Sequence, residues 1–205
     1  MACCRWNRTL SQAPPVSSLA YPDIALARHG PLTLGDQSWI PPQKFGAWIE
    51  RYQNASIDSS DPPEQIKVIA AQSTIVCSTA LRCLESAQRI APGREILADA
   101  LYREAELPHN LWSRPKLPAV IWAAVFRAAW FGGFSAGAES YGEATLRARS
   151  AAQQLMALAR ARGPVLMMGH GIVNLLIARQ LLALGWRGPK RPSTGHWRCS
   201  SYQSP

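Results

Sequence analysis

Two kinds of apolar segment alternate along this chain. Short unbroken runs bounded by Gly, Pro or Ser have the length of buried strands. Longer segments repeat apolar residues every three or four positions and have the period of helices. Asp23 to Arg28 is the first short run, closed by a Gly30-Pro31 turn. Phe45, Trp48, Ile49 and Tyr52 predict a helix over 44–54. After a proline-bearing loop at 58–63, residues 65–72 form a weaker helical segment. Ser73 to Cys77 is rich in β-branched residues and reads as a second strand. Ser78 is then expected to cap a helix that runs to Ala91 and stops at Pro92-Gly93.

The second half continues the alternation. A short strand is expected over 95–100, and an apolar helix from Pro115 to Phe131, ended by Gly132-Gly133. Ser140-Tyr141-Gly142-Glu143 has the form of a capping box, opening a helix to Arg162. Val165 to Gly169 reads as a strand, Ile172 to Leu184 as a helix and Trp197 to Tyr202 as a last strand. Strands alternating with helices predict an α/β fold, a three-layer α/β/α sandwich around a mostly parallel central sheet.

Composition narrows the class. The 205 residues suit one domain, expected over 22–205 behind a flexible tail at 1–21. That tail has two arginines, several serines and no acid, a faint likeness to a transit peptide, but lacks the apolar core of a secretory signal. Hydrophobic residues at 47% and charged residues at 17% are globular proportions. No run of 18 apolar residues predicts a membrane span. Five cysteines, Cys3, Cys4, Cys77, Cys83 and Cys199, show no CxxC spacing, so neither a disulfide framework nor a zinc knuckle is expected. A reducing cytoplasm is the expected compartment.

The net charge is +9, and all of the excess lies after Glu143, where nine basic side chains stand without an acid. Such a field attracts anions. No nucleic-acid-binding motif accompanies it, so neither nucleic acid nor membrane is the expected partner. Nothing in the pattern specifies an oligomer.

Candidate chemistry lies at strand ends. His29 follows the first strand and precedes Gly30; His170 follows the strand ending at Gly169 and precedes Gly171. In an open parallel sheet such positions gather along the carboxyl edge, where ligands bind. Glycine after each histidine would let a ligand approach the backbone. Ser78 and Arg82 open the helix after the second strand, where unpaired amides and a guanidinium favour an anion. Arg28 and Arg82 with two histidines form a constellation suited to phosphate. Neutral imidazole is a competent nucleophile toward phosphorus, and the cations would stabilise the transferring group. His109 and His196 lack such a setting and read as loop or surface residues, with His196-Trp197 a possible rim of the pocket.

Three segments carry a family resemblance. Leu26-Ala27-Arg28-His29-Gly30 resembles the RHG signature of the histidine phosphatase (phosphoglycerate mutase-like) superfamily. The stretch from Ser78 through Arg82 to Ser86-Ala87 is similar to its second motif, and Gly169-His170-Gly171-Ile172-Val173 to its third. The resemblance spans about 22–184. It implies a metal-independent phosphatase of the histidine acid phosphatase type, acting on a small phosphorylated substrate without a cofactor. His29 would form a phosphohistidine; Arg28, Arg82, His170 and Gly171 would hold the phosphoryl group. The acid that protonates the leaving group would be Glu104, with Glu106 as the alternative. Residues 107–138 would form the substrate-capping insertion, and its Trp112, Trp122, Phe126, Trp130 and Phe131 would form either a pocket wall or, the preferred reading, packed core. Gly30 is followed by Pro31-Leu32-Thr33-Leu34-Gly35 rather than by the Glu-Thr of the mutases, which speaks against phosphoglycerate mutase chemistry. A mutase-type phosphotransferase, a non-catalytic phosphate-ester binding protein and a zinc site on His29 and His170 are the competing readings.

Overall fold

In this computed structural model, the structure describes residues 23–34, 39–109 and 115–205. The expected tail at 1–21 and Trp112 lie outside them. In chain order the elements are β1 (Ile24–Arg28), β2 (Trp39–Ile40), α1 (Phe45–Gln53), α2 (Glu64–Ala71), β3 (Thr74–Ser78), α3 (Leu81–Ile90), β4 (Ile96–Asp99), β5 (Leu117–Pro118), α4 (Ala119–Phe131), α5 (Tyr141–Arg162), β6 (Val165–Gly169), α6 (Gly171–Ala183) and β7 (Cys199–Tyr202). Five strands form one sheet in the order β4-β3-β6-β1-β7. All pairs are parallel except β1 with β7. The mostly parallel α/β sandwich expected from the strand–helix alternation is the architecture observed.

The unbroken apolar runs of β1 and β6 follow from their central places, since a strand covered on both faces has no solvent side to mark with polar residues. Ile24, Leu26, Val165 and Met167 point to one face, where they pack with Ala148, Leu155, Ile177 and Leu181 of α5 and α6. Ala25, Ala27, Ile75, Cys77, Leu166 and Met168 point to the other, against Ile66 of α2 and Cys83 and Ala87 of α3. A third apolar cluster, built from Ile40, Phe45, Trp48, Trp122 and Phe126, joins α1 to α4. Trp122 donates from its indole Nε1 to the Ile40 carbonyl at 2.9 Å. The aromatic residues of the insertion thus divide. Trp122, Phe126 and Trp130 are buried core, whereas Phe131 is exposed.

Two local expectations are corrected. Ser78 does not cap α3; it is the last residue of β3, held extended by its pairing with Asp99, and Ala80 takes the cap position. Residues 117–118 are not helical. They pair with Trp39–Ile40, and α4 starts only after Pro118. A proline disfavours helical backbone in the residue before it, which accounts for the delayed start. The capping box at α5 is present in both directions, Ser140 Oγ accepting from the Glu143 amide and the Glu143 carboxylate accepting from the Ser140 amide.

Candidate active site

The carboxyl ends of β1, β3 and β6 bring the strand-end residues together. The rings of His29 and His170 lie with centroids 5.3 Å apart, edge to face. Both are buried. The His29 Nδ1 lies 2.7 Å from the Gly30 carbonyl oxygen. That acceptor requires Nδ1–H and leaves the Nε2 lone pair free. Burial, aided by the positive charges of Arg82 and Arg28 and by His196, and opposed by the Gly30 hydrogen bond, pushes the His29 pKa down to about 3. Burial together with Arg82, His29 and Arg28 also drives His170 well below the ordinary histidine range. Both rings are therefore neutral at physiological pH.

His170 is wedged between the ends of β3 and α3. Its Nε2 lies 3.1 Å from Ser78 Oγ and 3.4 Å from Cys83 Sγ. The serine expected to serve a helix amide thus touches a site histidine. Ser86, one turn further along α3 from Arg82, has a different task. Its hydroxyl accepts from the Gly30 amide at 2.9 Å and donates to the Arg82 carbonyl at 2.6 Å, tying α3 to the turn after His29.

The two arginines are held differently. Arg82, buried in the first turn of α3, donates from Nη1 towards the Tyr52 and Gln53 carbonyls at 3.4 and 3.3 Å and lies 5.2 Å from the Tyr52 ring centroid. Arg28 donates to the Thr194 carbonyl. Among the described residues the buried Nε of each has no hydrogen-bond partner, so each arginine keeps a donor that those residues do not use.

Glu104 lies at the opening of α6. Its carboxylate accepts from the amides of Ile172 at 3.2 Å, Val173 at 2.9 Å and Ala105 at 3.0 Å. Glu106 accepts from the Glu139 amide at 3.1 Å. Gly171 is the first residue of α6, and a Cβ added there would meet nothing within 4 Å, which leaves its backbone open to a ligand. Gly30 is small for another reason. A Cβ there would lie 2.7 Å from Cε2 of the Trp197 indole. The expected space for a ligand is filled by packing.

His196 lies in a loop, as expected, but reaches into the site rather than standing apart from it. It is half-buried, its Nδ1 lies 2.9 Å from the His29 carbonyl oxygen, and its ring centroid is 5.1 Å from that of His29. The sequence around it has no periodicity, and β7 returns it to the site by running antiparallel beside β1. His109 packs instead against Gly46 of α1. Among the described residues, no group of three or more His, Cys, Asp or Glu is arranged to hold a metal ion.

A cavity of about 440 Å³ opens beside these groups, lined by Arg28, Arg82, Glu104 and Gly171 and by residues of α1 and α4. A second, of about 520 Å³, adjoins it and is lined by Ser78, Arg82, Glu104, Glu106 and His170.

A profile of the histidine phosphatase superfamily (branch 1) matches residues 64–202. The chain belongs to that superfamily. The matched span contains Arg82, Glu104 and His170 but begins after Arg28 and His29. Solved structures of this superfamily's fold resemble the chain. The product of open reading frame Rv3214 of Mycobacterium tuberculosis superposes with a TM-score of 0.56 at 15% identity, over 88% of this chain and 95% of that one. The mycobacterial glucosyl-3-phosphoglycerate phosphatase Rv2419c, complexed with VO3, gives 0.52 at 21% identity, over 78% and 82%. YhfR of Bacillus stearothermophilus gives 0.53 at 20% identity, over 78% and 79%. At such identities the likeness establishes the fold. Comparison with curated proteins finds no significant sequence match.

Proposed function

We propose that this histidine phosphatase superfamily member is a phosphatase that hydrolyses a phosphate monoester through a phosphohistidine on His29, without a metal. One observation carries the reading: a buried, neutral imidazole with its Nε2 lone pair free sits beside a second neutral histidine and two guanidiniums with donors that the described residues do not use. Arg28, Arg82, His170 and the Gly171 amide bind the phosphoryl oxygens. Nε2 of His29 attacks phosphorus, the P–N bond forms, and the bond to the leaving oxygen breaks. Glu104 gives that oxygen its proton; Glu106 is the second carboxylate lining the same cavities. Water then attacks phosphorus, the P–N bond breaks, and the carboxylate takes up the proton.

The names of structural relatives agree with this chemical class. They include a glucosyl-3-phosphoglycerate phosphatase and a phosphoserine phosphatase of Entamoeba histolytica. A cytoplasmic setting agrees with the buried free thiols of Cys77 and Cys83. The test is turnover of 4-nitrophenyl phosphate in the presence of EDTA, with acid-labile, base-stable phosphate trapped on the protein. His29→Ala should abolish both. Full turnover by His29→Ala would overturn the assignment, and loss of turnover in EDTA would overturn the metal-free mechanism.

A further inference from the structure

The cavity beside the arginines has two unlike kinds of lining. Arg28, Arg82, Glu104 and Gly171 supply its charged and open-backbone lining, with Tyr52 against Arg82; Trp48, Ile49, Leu107, Val120 and Ala123 supply its apolar lining. Among the other described lining residues, Glu106 and Arg127 carry charge. Arg127 is already engaged. It donates to the Ala105 carbonyl at 2.7 Å, and its guanidinium lies 4.8 Å from the Trp130 ring centroid. Among the described lining residues, Gln53, Thr194, the Tyr52 hydroxyl and the Trp48 indole N–H are the remaining polar side-chain groups, and the Thr194 carbonyl is taken by Arg28.

We infer that the substrate is a phosphate ester of an apolar alcohol, with its hydrocarbon body seated between α1 and α4. The inference rests on the phosphatase reading only for the placing of the phosphoryl group. A sugar or glycerol leaving group carries several hydroxyls, each needing a partner once water is expelled. Against Ile49, Leu107, Val120 and Ala123 a hydroxyl finds no side-chain partner, an unfavourable arrangement. An alkyl or aryl group instead gains from every methylene it withdraws from water. The volume of about 440 Å³ suits a small organic leaving group rather than a polymer.

The experiment compares esters of matched reactivity: ethyl, propyl, butyl and hexyl phosphate, with glycerol 3-phosphate as the hydroxylated counterpart of propyl phosphate. We expect kcat/KM to rise about two- to fourfold per methylene, and glycerol 3-phosphate to fall well below propyl phosphate. Val120→Asp should flatten the series. Val120 is 54% exposed, so this change leaves the core intact. Calorimetric Kd values for the same esters read the selectivity without turnover. A flat series in both kcat/KM and Kd, or glycerol 3-phosphate preferred over propyl phosphate, overturns the inference. Absence of hydrolysis with Kd still tightening along the series overturns the phosphatase reading and leaves the apolar selectivity standing.

Discussion

His196 Nδ1 lies 2.9 Å from the carbonyl oxygen of His29. The contact joins the loop before β7 to the turn that carries the proposed nucleophile. Since a carbonyl only accepts, Nδ1 of His196 carries a proton, and burial lowers the pKa of the ring, which favours the neutral form with its lone pair on Nε2. The ring thus fixes the backbone of His29 without bringing a charge. His196→Ala should lower kcat about tenfold while leaving KM nearly unchanged, the pattern expected when orientation rather than binding is lost. His196→Asn, whose amide can take the Nδ1 position, should restore most of the rate. Equal losses from the two substitutions would assign His196 to packing alone.

Acid should destabilise the protein through its buried histidines. The folded-state pKa of His29, about 3, lies below its ordinary value of 6.5. Between those values the unfolded chain binds more protons than the folded one, so stability rises with pH. The contribution is complete above about pH 7 and is lost as pH falls from 6.5 towards 3. The slope within that window approaches about 1.4 kcal/mol per pH unit for each fully buried histidine. His170 acts in the same direction. Urea unfolding at pH 7.5, 6.0 and 5.0 measures the slope, and His29→Phe should reduce it. An unchanged slope in that variant would contradict the buried, neutral state of His29.

The two carboxylates can be separated by leaving group. A general acid matters most when the departing oxygen is basic, as in alkyl esters, and little for 4-nitrophenolate. If Glu104 is the acid, Glu104→Gln should lose about 100-fold or more on propyl phosphate and far less on 4-nitrophenyl phosphate. Its hold on the Ile172 and Val173 amides predicts a second effect, because the Gln side chain keeps only one oxygen acceptor for them. Thermal stability should fall modestly in Glu104→Gln and stay constant in Glu106→Gln. A leaving-group-dependent loss in Glu106→Gln alone would transfer the role to Glu106.

Most of the sheet was legible because buried parallel strands write themselves as continuous apolar runs. The expected segments 23–28 and 165–169 differ from β1 and β6 by at most one residue. Strand ends then bring His29 and His170 side by side, a consequence of parallel topology rather than of local sequence. What escaped depends on partners distant in the chain. Ser78 reads as a cap until its pairing with Asp99 keeps it in the strand. Residues 117–118 read as helix until β2 pairs with them. His196 follows Gly195 in a stretch without periodicity, and only the antiparallel return of β7 reveals its neighbour.

Gly30 joins fold and site most directly. Its amide is held by Ser86 Oγ, its carbonyl faces His29 Nδ1, and its missing side chain makes room for Trp197. Trp197 is buried and adopts a positive φ of 59°, an uncommon backbone state for a bulky residue. A methyl group at position 30 would overlap the rigid indole, which has little freedom to yield. Gly30→Ala should therefore destabilise the fold by about 1–3 kcal/mol and shift His29 away from its neighbours. The expected result is a lower urea midpoint together with at least a tenfold loss in kcat/KM. Adding Trp197→Leu should recover part of the stability by making space, whereas no recovery would mean that the strain lies in the backbone of the turn.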